Sequence, residues 1–217
     1  VWGALALSIL VGALCGGVNG FLIARLRIAP IIATLASMYV LRGLSAVLTG
    51  GVWISDFPDT FKWPGQSSSW GIPMHFILWL VLAFLTQYGL DNLNIGRKLY
   101  VSGGNPEAAK LFGIRYPAYR MGVYAVSGAL IGLSGTIYAS MVGTVSANTT
   151  GLNTSGELLA AALIGGVNIG GGKGNVFGAG IGVLLMQIIR NGLIISKISE
   201  HWADAVTGMI IVVALVL

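Results

Sequence analysis

Apolar residues in this chain come in long runs, neither alternating with polar ones nor confined to one helical face. Short clusters rich in Arg, Lys, Pro, Asn and Gly separate the runs. A helix that is apolar all round belongs in lipid or deep in a large core, and about 20 such residues cross a bilayer. The pattern predicts seven spans. The first four cover about Val1 to Ala24 (closed by Arg25, Arg27 and Pro30), Ile31 to Leu48 (carrying Arg42), His75 to Leu90, and Met121 to Met141. The others cover about Glu157 to Ile169, Val176 to Ile195, and Ala203 to Leu217. The fold class is therefore all-α, a polytopic transmembrane helical bundle forming a single domain over residues 1–217. The fifth span is short or broken: about 13 residues at a 1.5 Å rise reach only ~20 Å of a ~30 Å core. It is a tilted span with a ragged end, a helix extended by its Gly-rich tail, or a re-entrant segment lining a cavity.

Composition removes the soluble alternative. Hydrophobic residues make up 55% of the 217 positions and charged residues 9%, against about 25% charged in a soluble domain. Too little charge is present to cover a surface in water. The lone cysteine, Cys15, lies in an apolar stretch, which excludes a disulfide framework and a cysteine metal site. The opening run lacks the basic start of a signal peptide and is too long for one. Because the chain begins without Met and stops inside an apolar run, both ends read as cut, the N-terminal one most clearly.

The cations set the expected orientation. If seven spans alternate, Arg25, Arg27, Arg97, Lys98, Lys110, Arg115, Arg120 and Lys173 fall on one side, with only Lys62 and Lys197 opposite them outside the spans. The positive-inside rule then makes the 91–120 connection cytoplasmic and the Trp-rich Thr49 to Met74 connection external. A re-entrant fifth span would move Lys173 and all that follows to the other side.

Small residues recur every fourth position: Gly12, Gly16 and Gly20; Gly128 and Gly132; Gly174, Gly178 and Gly182. Each set reads as one helix face that permits close backbone approach, either for fixed packing or for sliding. In the basic connection, Asn105 suits an N-cap, Pro106 the first helical position and Glu107 the first turn. Ala108, Ala109, Lys110, Leu111 and Phe112 can continue the helix and Gly113 can end it. A helix this short needs a surface to lie on, either lipid headgroups or a cytoplasmic partner.

Three stretches, in matching order, carry a family likeness. They are Val18–Phe21 with Ala29–Leu35 and Leu41–Gly43; Gly96–Ile114 (Gly-Arg-Lys-Leu-Tyr-Val-Ser-Gly-Gly-Asn-Pro-Glu-Ala-Ala-Lys-Leu-Phe-Gly-Ile); and Ala162–Ala179. The chain resembles the permeases of bacterial ABC importers of the ribose type, which take ribose, xylose, rhamnose or autoinducer-2-like solutes. The resemblance implies a permease domain in the bacterial inner membrane, working as a homo- or heterodimer with a second permease chain. It also implies two cytoplasmic ABC ATPase domains and a periplasmic or lipid-anchored solute-binding protein. Gly96, Arg97, Asn105, Pro106, Glu107, Ala108, Ala109, Leu111 and Gly113 are then the ATPase-coupling residues. By its external location and its length alone, the 50–74 connection is expected to be part of the binding-protein contact. The resemblance implies no enzyme activity, no nucleic-acid partner and no cofactor in this chain, ATP and Mg residing on the ATPase. Consistently, Gly170 to Gly174, with Lys173, lacks the hydroxyl residue and spacing of a phosphate-binding loop.

Polar residues inside the spans leave alternatives open. Asn19, Arg42 and Asn168 either line a translocation pathway or tie helices together. Arg190 either contacts the pathway or snorkels to a surface. Glu157, after Ser155, either complements a helix start or meets solute. A branched-chain amino-acid ABC permease is the nearest alternative. An ion-coupled secondary transporter is a rival, though such proteins often bury an acid and none is central here. A rhomboid-like serine protease at Gly132-Leu-Ser134-Gly135 would need a nearby His, and only His75 and His201 exist.

Overall fold

The computed structural model of the chain describes residues 2–69, 71–112, 116–151, 154–168, 170–196, 202, 205–206 and 208–209. They form nine helices and one small hairpin. In order these are α1 (Trp2–Ala24), α2 (Pro30–Thr49), α3 (Asp59–Gln66), β1 (Ser68–Ser69), β2 (Ile72–Pro73), α4 (Met74–Asn92), α5 (Asn94–Gly104), α6 (Pro106–Leu111), α7 (Tyr116–Val142), α8 (Thr154–Ile164) and α9 (Val176–Ile195). Five of them, α1, α2, α4, α7 and α9, are long and apolar enough to cross a membrane. The chain is an all-α polytopic membrane bundle. The span expected from Ala203 lies almost wholly outside the described residues.

Among the described residues, the buried apolar side chains are mostly small and the exposed ones mostly large. The buried apolar residues are Ile23, Ala33, Ala83, Ala109, Ala160, Ala161 and Met186, whereas Leu7, Leu10, Leu14, Ile31, Tyr39, Val47 and Phe84 are all exposed. In water that distribution is ruinous. In lipid, tails solvate the large side chains and helix association rests on close packing instead.

The chain divides into two compact units, Val1–Val81 with Arg115–Thr150, and Leu82–Ile114 with Gly151–Leu217. In the first, α1 and α7 run antiparallel with their backbones touching. A Cβ on Gly12 would lie 2.2 Å from the Gly128 carbonyl oxygen, and one on Gly16 would lie 2.1 Å from that of Tyr124. On Gly20 it would be 2.8 Å from Met121 Cα, and on Gly132 2.1 Å from the Ser8 carbonyl. The two glycine sets expected on separate spans are therefore one interface. Pro30 opens α2 at its first turn, and Gly50 closes it in the left-handed region at φ 63°.

The Thr49 to Met74 connection contains structure that its Pro and Gly content concealed. Its helix α3 sits on the end of α7. Ser140 Oγ donates to the Phe61 carbonyl (2.7 Å) and accepts from the Gly65 amide (2.9 Å). His75 Nδ1 is 3.2 Å from the Gly65 carbonyl. Ile54 and Val145 exchange backbone hydrogen bonds at 2.9 and 3.0 Å. The 49–74 and 142–150 connections thus lie on the same side, while Arg25, Arg27 and Arg120 lie at the opposite ends of α1 and α7.

Candidate functional site

The second unit joins the basic connection to a helical hairpin. After α4, Leu93 turns the chain into α5, and the corner is tight: a Cβ on Gly96 would stand 2.2 Å from the Leu90 carbonyl. Gly96 is thus a buried packing residue, beside the exposed Arg97. Gly96, Gly103 and Gly104 argue locally against a helix here. Packing against α4 and the 170–174 loop outweighs that weak propensity.

Asn105 separates α5 from α6. Its backbone is extended (φ −148°, ψ 94°) and its amide still donates to Val101, while its carbonyl accepts from Ala109 at 3.0 Å. That is N-cap geometry. Pro106 follows as the first residue of α6 and Glu107 lies in its first turn. Ala108 lies within α6, Ala109 is fully buried, and Leu111 and Phe112 are 88% and 80% exposed. Gly113, the expected stop, lies outside the described residues. Two large apolar side chains next to each other, thrust out from a basic connection, form a surface that suits a partner.

Helices α8 and α9 pack antiparallel. A Cβ on Gly178 would meet the Gly165 carbonyl at 2.4 Å, and one on Gly182 would meet the Ala161 carbonyl at 2.0 Å. Gly174 does not belong to this face. It precedes α9, outside the helix, because Asn175 caps the start by accepting from the amides of Phe177 and Gly178. The partners of Gly178 and Gly182 are Gly165, just past the end of α8, and Ala161 within it.

Helix α8 spans 11 residues, about 16 Å, and ends at Gly165 and Gly166 (φ 81°). Thr154 begins it, so Ser155 is inside the helix and not its cap. Its two ends lie at opposite parts of α9: Gly165 by Gly178, and Glu157 by Arg190. The segment is therefore a short helix, as expected, that closes in Gly-rich turns leading to α9. Glu157 is ion-paired with Arg190, a partnership that neither residue's local sequence announces. The spacing of small residues contained the register that brings these residues together.

The α8–α9 loop is bonded to α5 and α4. Tyr100 Oη donates to the Gly174 carbonyl (2.8 Å). The Val176 amide donates to Gln87 Oε1 (2.8 Å), and Gln87 Nε2 donates to Asp91 (2.8 Å). A Cβ on Gly172 would lie 2.6 Å from Gly104 Cα, and one on Gly103 would lie 2.7 Å from the Gly172 amide. Burial, and secondarily the Asp91 carboxylate, push the Tyr100 phenol above its ordinary value of 10.0, so it remains a donor at neutral pH. Lys173 therefore sits on the same side as Arg97 and Lys98.

The three polar residues considered for the pathway diverge. Asn19 Oδ1 accepts from Ser37 Oγ, joining α1 to α2. Asn168 is outside the helices. Its Oδ1 accepts from Gly170 (2.9 Å) and its amide donates to Lys173 (3.1 Å), which shapes the loop. Arg42 is half-buried in α2 and has no polar partner among the described residues. Of the imidazoles that Ser134 chemistry would need, His75 is engaged with Gly65 and His201 lies outside the described residues.

Residues 1–215 match the model of a family described as branched-chain amino acid transport system / permease component. Among curated proteins, the autoinducer 2 import system permease protein LsrC of Escherichia coli (strain SMS-3-5 / SECEC) is 32% identical over 209 residues, covering 96% of this chain and 61% of that protein. The protein of the same name from Klebsiella pneumoniae subsp. pneumoniae is 34% identical over 209 residues, 95% of this chain and 60% of that one. The one from Yersinia pseudotuberculosis serotype O:1b is 32% identical over 209 residues, covering 96% and 59%. The chain spans about three-fifths of the length of these curated relatives. No solved structure matches it.

Proposed function

The chain belongs to the family of branched-chain amino acid transport system permease components, and on that premise we propose that it is the membrane-spanning permease subunit of an ATP-driven, binding-protein-dependent importer of a small sugar-like solute. The observation that carries the solute class is the similarity over 95–96% of the chain to autoinducer 2 import permeases. The family description itself favours a second reading, a branched-chain amino acid as solute.

In this reading the basic ends, with Arg25, Arg27, Arg97, Lys98, Arg120 and Lys173, face the bacterial cytoplasm. Glu107, Leu111 and Phe112 on and beside α6 dock on an ABC ATPase, which holds the ATP and Mg. Gly96 shapes the α4–α5 corner, while Arg97 and Ala108 complete the coupling segment. The 49–74 connection faces outward, where α3 offers a surface to a periplasmic or lipid-anchored binding protein. A second permease chain, identical or not, completes the pathway, and Arg42 is the residue of α2 placed to meet a hydroxylated solute there.

The test is a pull-down of the tagged full-length permease in mild detergent, followed by mass spectrometry. Recovery of an ABC ATPase and a solute-binding protein is the expected result, and that binding protein is then screened against sugars, autoinducer 2 and branched-chain amino acids. An intact permease that recovers no ATPase under any gentle condition, and whose uptake collapses with ion gradients while ATP persists, would be a secondary transporter instead.

A further inference from the structure

Between the helices that approach the proposed ATPase and the helices inside the membrane, the second unit has one firmly bonded junction. The α8–α9 hairpin is stiff. Its two helices touch backbone to backbone at Gly165 with Gly178 and at Ala161 with Gly182, and the Glu157–Arg190 pair joins them again. Its loop is stiff as well, with the Asn168 amide on the Lys173 carbonyl, Asn168 Oδ1 on the Gly170 amide, and Gly171 donating to the Asn168 carbonyl at 3.0 Å. That loop is held from outside at two points, Tyr100 Oη on the Gly174 carbonyl and Gln87 Oε1 on the Val176 amide. Just before these points along the loop, the Gly103–Gly104 backbone lies directly on Gly171–Gly172. Tyr100, Gly103 and Gly104 are all on α5, one residue away from α6.

We propose that Tyr100 of α5 and Gln87 of α4 are positioning residues that lock the α4–α5 corner to the loop of the α8–α9 hairpin and the start of α9, so that movement of α6 is passed to the hairpin as movement of one body. The inference rests on the importer reading above and adds how work done at the ATPase reaches the membrane interior. The contacts suit that task. Backbone on backbone leaves no side chain to yield, and packed elements switch between arrangements more readily than they deform. The phenol bonds the loop at the Gly174 carbonyl and the carboxamide bonds the Val176 amide that opens α9, so displacement of the α4–α5 corner pulls on the hairpin at both places. Without them, the glycine contacts still allow α5 to slide past the loop.

The experiment uses the full importer in proteoliposomes. It measures solute taken up per ATP hydrolysed for Tyr100→Phe, Gln87→Met and the double variant. Each single variant is expected to lower that ratio about fivefold, the scale of one lost hydrogen bond in a coupling equilibrium. The double variant should lower it further, with ATPase recovery and monodispersity unchanged. Independently, nitroxides at Asn94→Cys and Lys173→Cys, in a background without other cysteines, should give one narrow distance, the same without nucleotide and with trapped nucleotide. Tyr100→Phe should broaden it. An unchanged uptake ratio in the double variant, or a wild-type Asn94–Lys173 distance that differs between nucleotide states, overturns the transmission and leaves the importer reading standing. Failure of the wild-type protein to recover an ATPase overturns that reading and this one together.

Discussion

Arg190 of α9 donates to the carboxylate of Glu157 in the first turn of α8, joining the two helices of a hairpin at the end remote from its loop. Both side chains are partly buried, and lipid surrounds the helices. Removing either partner breaks this pair where hydration is poor. Glu157→Gln and Arg190→Gln are each expected to lower stability by about 1–3 kcal/mol, between the values of exposed and fully buried pairs. The charge-swapped double variant Glu157→Arg/Arg190→Glu should recover part of the loss. Thermal melting in detergent, followed by size-exclusion fluorescence, reads both effects. Equal melting of all variants would mean that the pair has no structural role.

The glycines of α1 and α7 divide into two groups. Gly12, Gly16, Gly128 and Gly132 touch the backbone of the opposite helix, whereas a Cβ on Gly17 or Gly122 meets nothing within 4 Å. Gly16→Ala and Gly128→Ala must push the helices apart and should destabilise by about 1–3 kcal/mol. Gly17→Ala should be neutral or slightly stabilising, since Ala is the better helix former. Melting temperatures compared across the three variants check this, and a fall for Gly17→Ala as large as that for Gly16→Ala would remove the interface explanation.

The legible part of the fold was the part written in long apolar runs. Val176 to Ile195 was expected and observed with the same ends, because Asn175 is a strong cap and the run is otherwise long and apolar, with Gln187, Arg190 and Asn191 too few to interrupt it. Helices α3 and α5 were not legible. Pro64 inside one, and Gly96, Gly103 and Gly104 inside the other, argue locally against a helix, and only tertiary contacts, such as those of Ser140 with α3, overcome the objection. At the candidate site, Asn105 and Pro106 announce α6 by their chemistry alone. Tyr100 and Gln87 announce nothing, because their partners are main-chain groups 74 and 89 residues away. Ion pairing of Glu157 was hidden for a similar reason, since it depends on a register carried by small residues two turns distant.

The exposed tip of α6 should govern the ATPase and little else. Leu111→Ser/Phe112→Ser removes apolar area that the chain itself does not cover, so melting of the isolated permease should be unchanged. Glu107→Lys reverses the charge in the first turn. Each is expected to reduce ATPase recovery in a pull-down by about tenfold, equivalent to ~1.4 kcal/mol. Undiminished recovery together with unchanged uptake would show that α6 rests on lipid headgroups. Bulky replacements at Gly113 test the same surface.

Arg42 lies well inside α2 with no polar partner among the described residues. A cation there is costly unless it faces water or a partner. Arg42→Lys keeps the charge but loses the planar fork, and Arg42→Leu removes both. If Arg42 lines the pathway, Leu should reduce uptake by about tenfold or more with a normal melting temperature, and Lys should fall between. A higher melting temperature with full uptake for Leu would identify Arg42 as an unneeded charge that snorkels to the surface.

Ser140 supplies the sharpest test of the outward-facing surface. It is 1% exposed, and its hydroxyl holds α3 at both the Phe61 carbonyl and the Gly65 amide. Ser140→Ala leaves two main-chain groups of α3 without that partner, at a cost of about 1–3 kcal/mol. The damage stays local, because Gly65 cannot move closer: a Cβ there would already lie 2.4 Å from the Met141 amide. Loosened α3 should therefore weaken stimulation of the ATPase by the binding protein, while basal hydrolysis and assembly with the ATPase are retained. Deleting residues 50–74 should abolish stimulation altogether. Measuring hydrolysis against binding-protein concentration separates the cases. A raised half-maximal concentration places the binding protein on α3. An unchanged curve for Ser140→Ala, with a lowered melting temperature confirming that α3 has loosened, moves the contact elsewhere on the outer face.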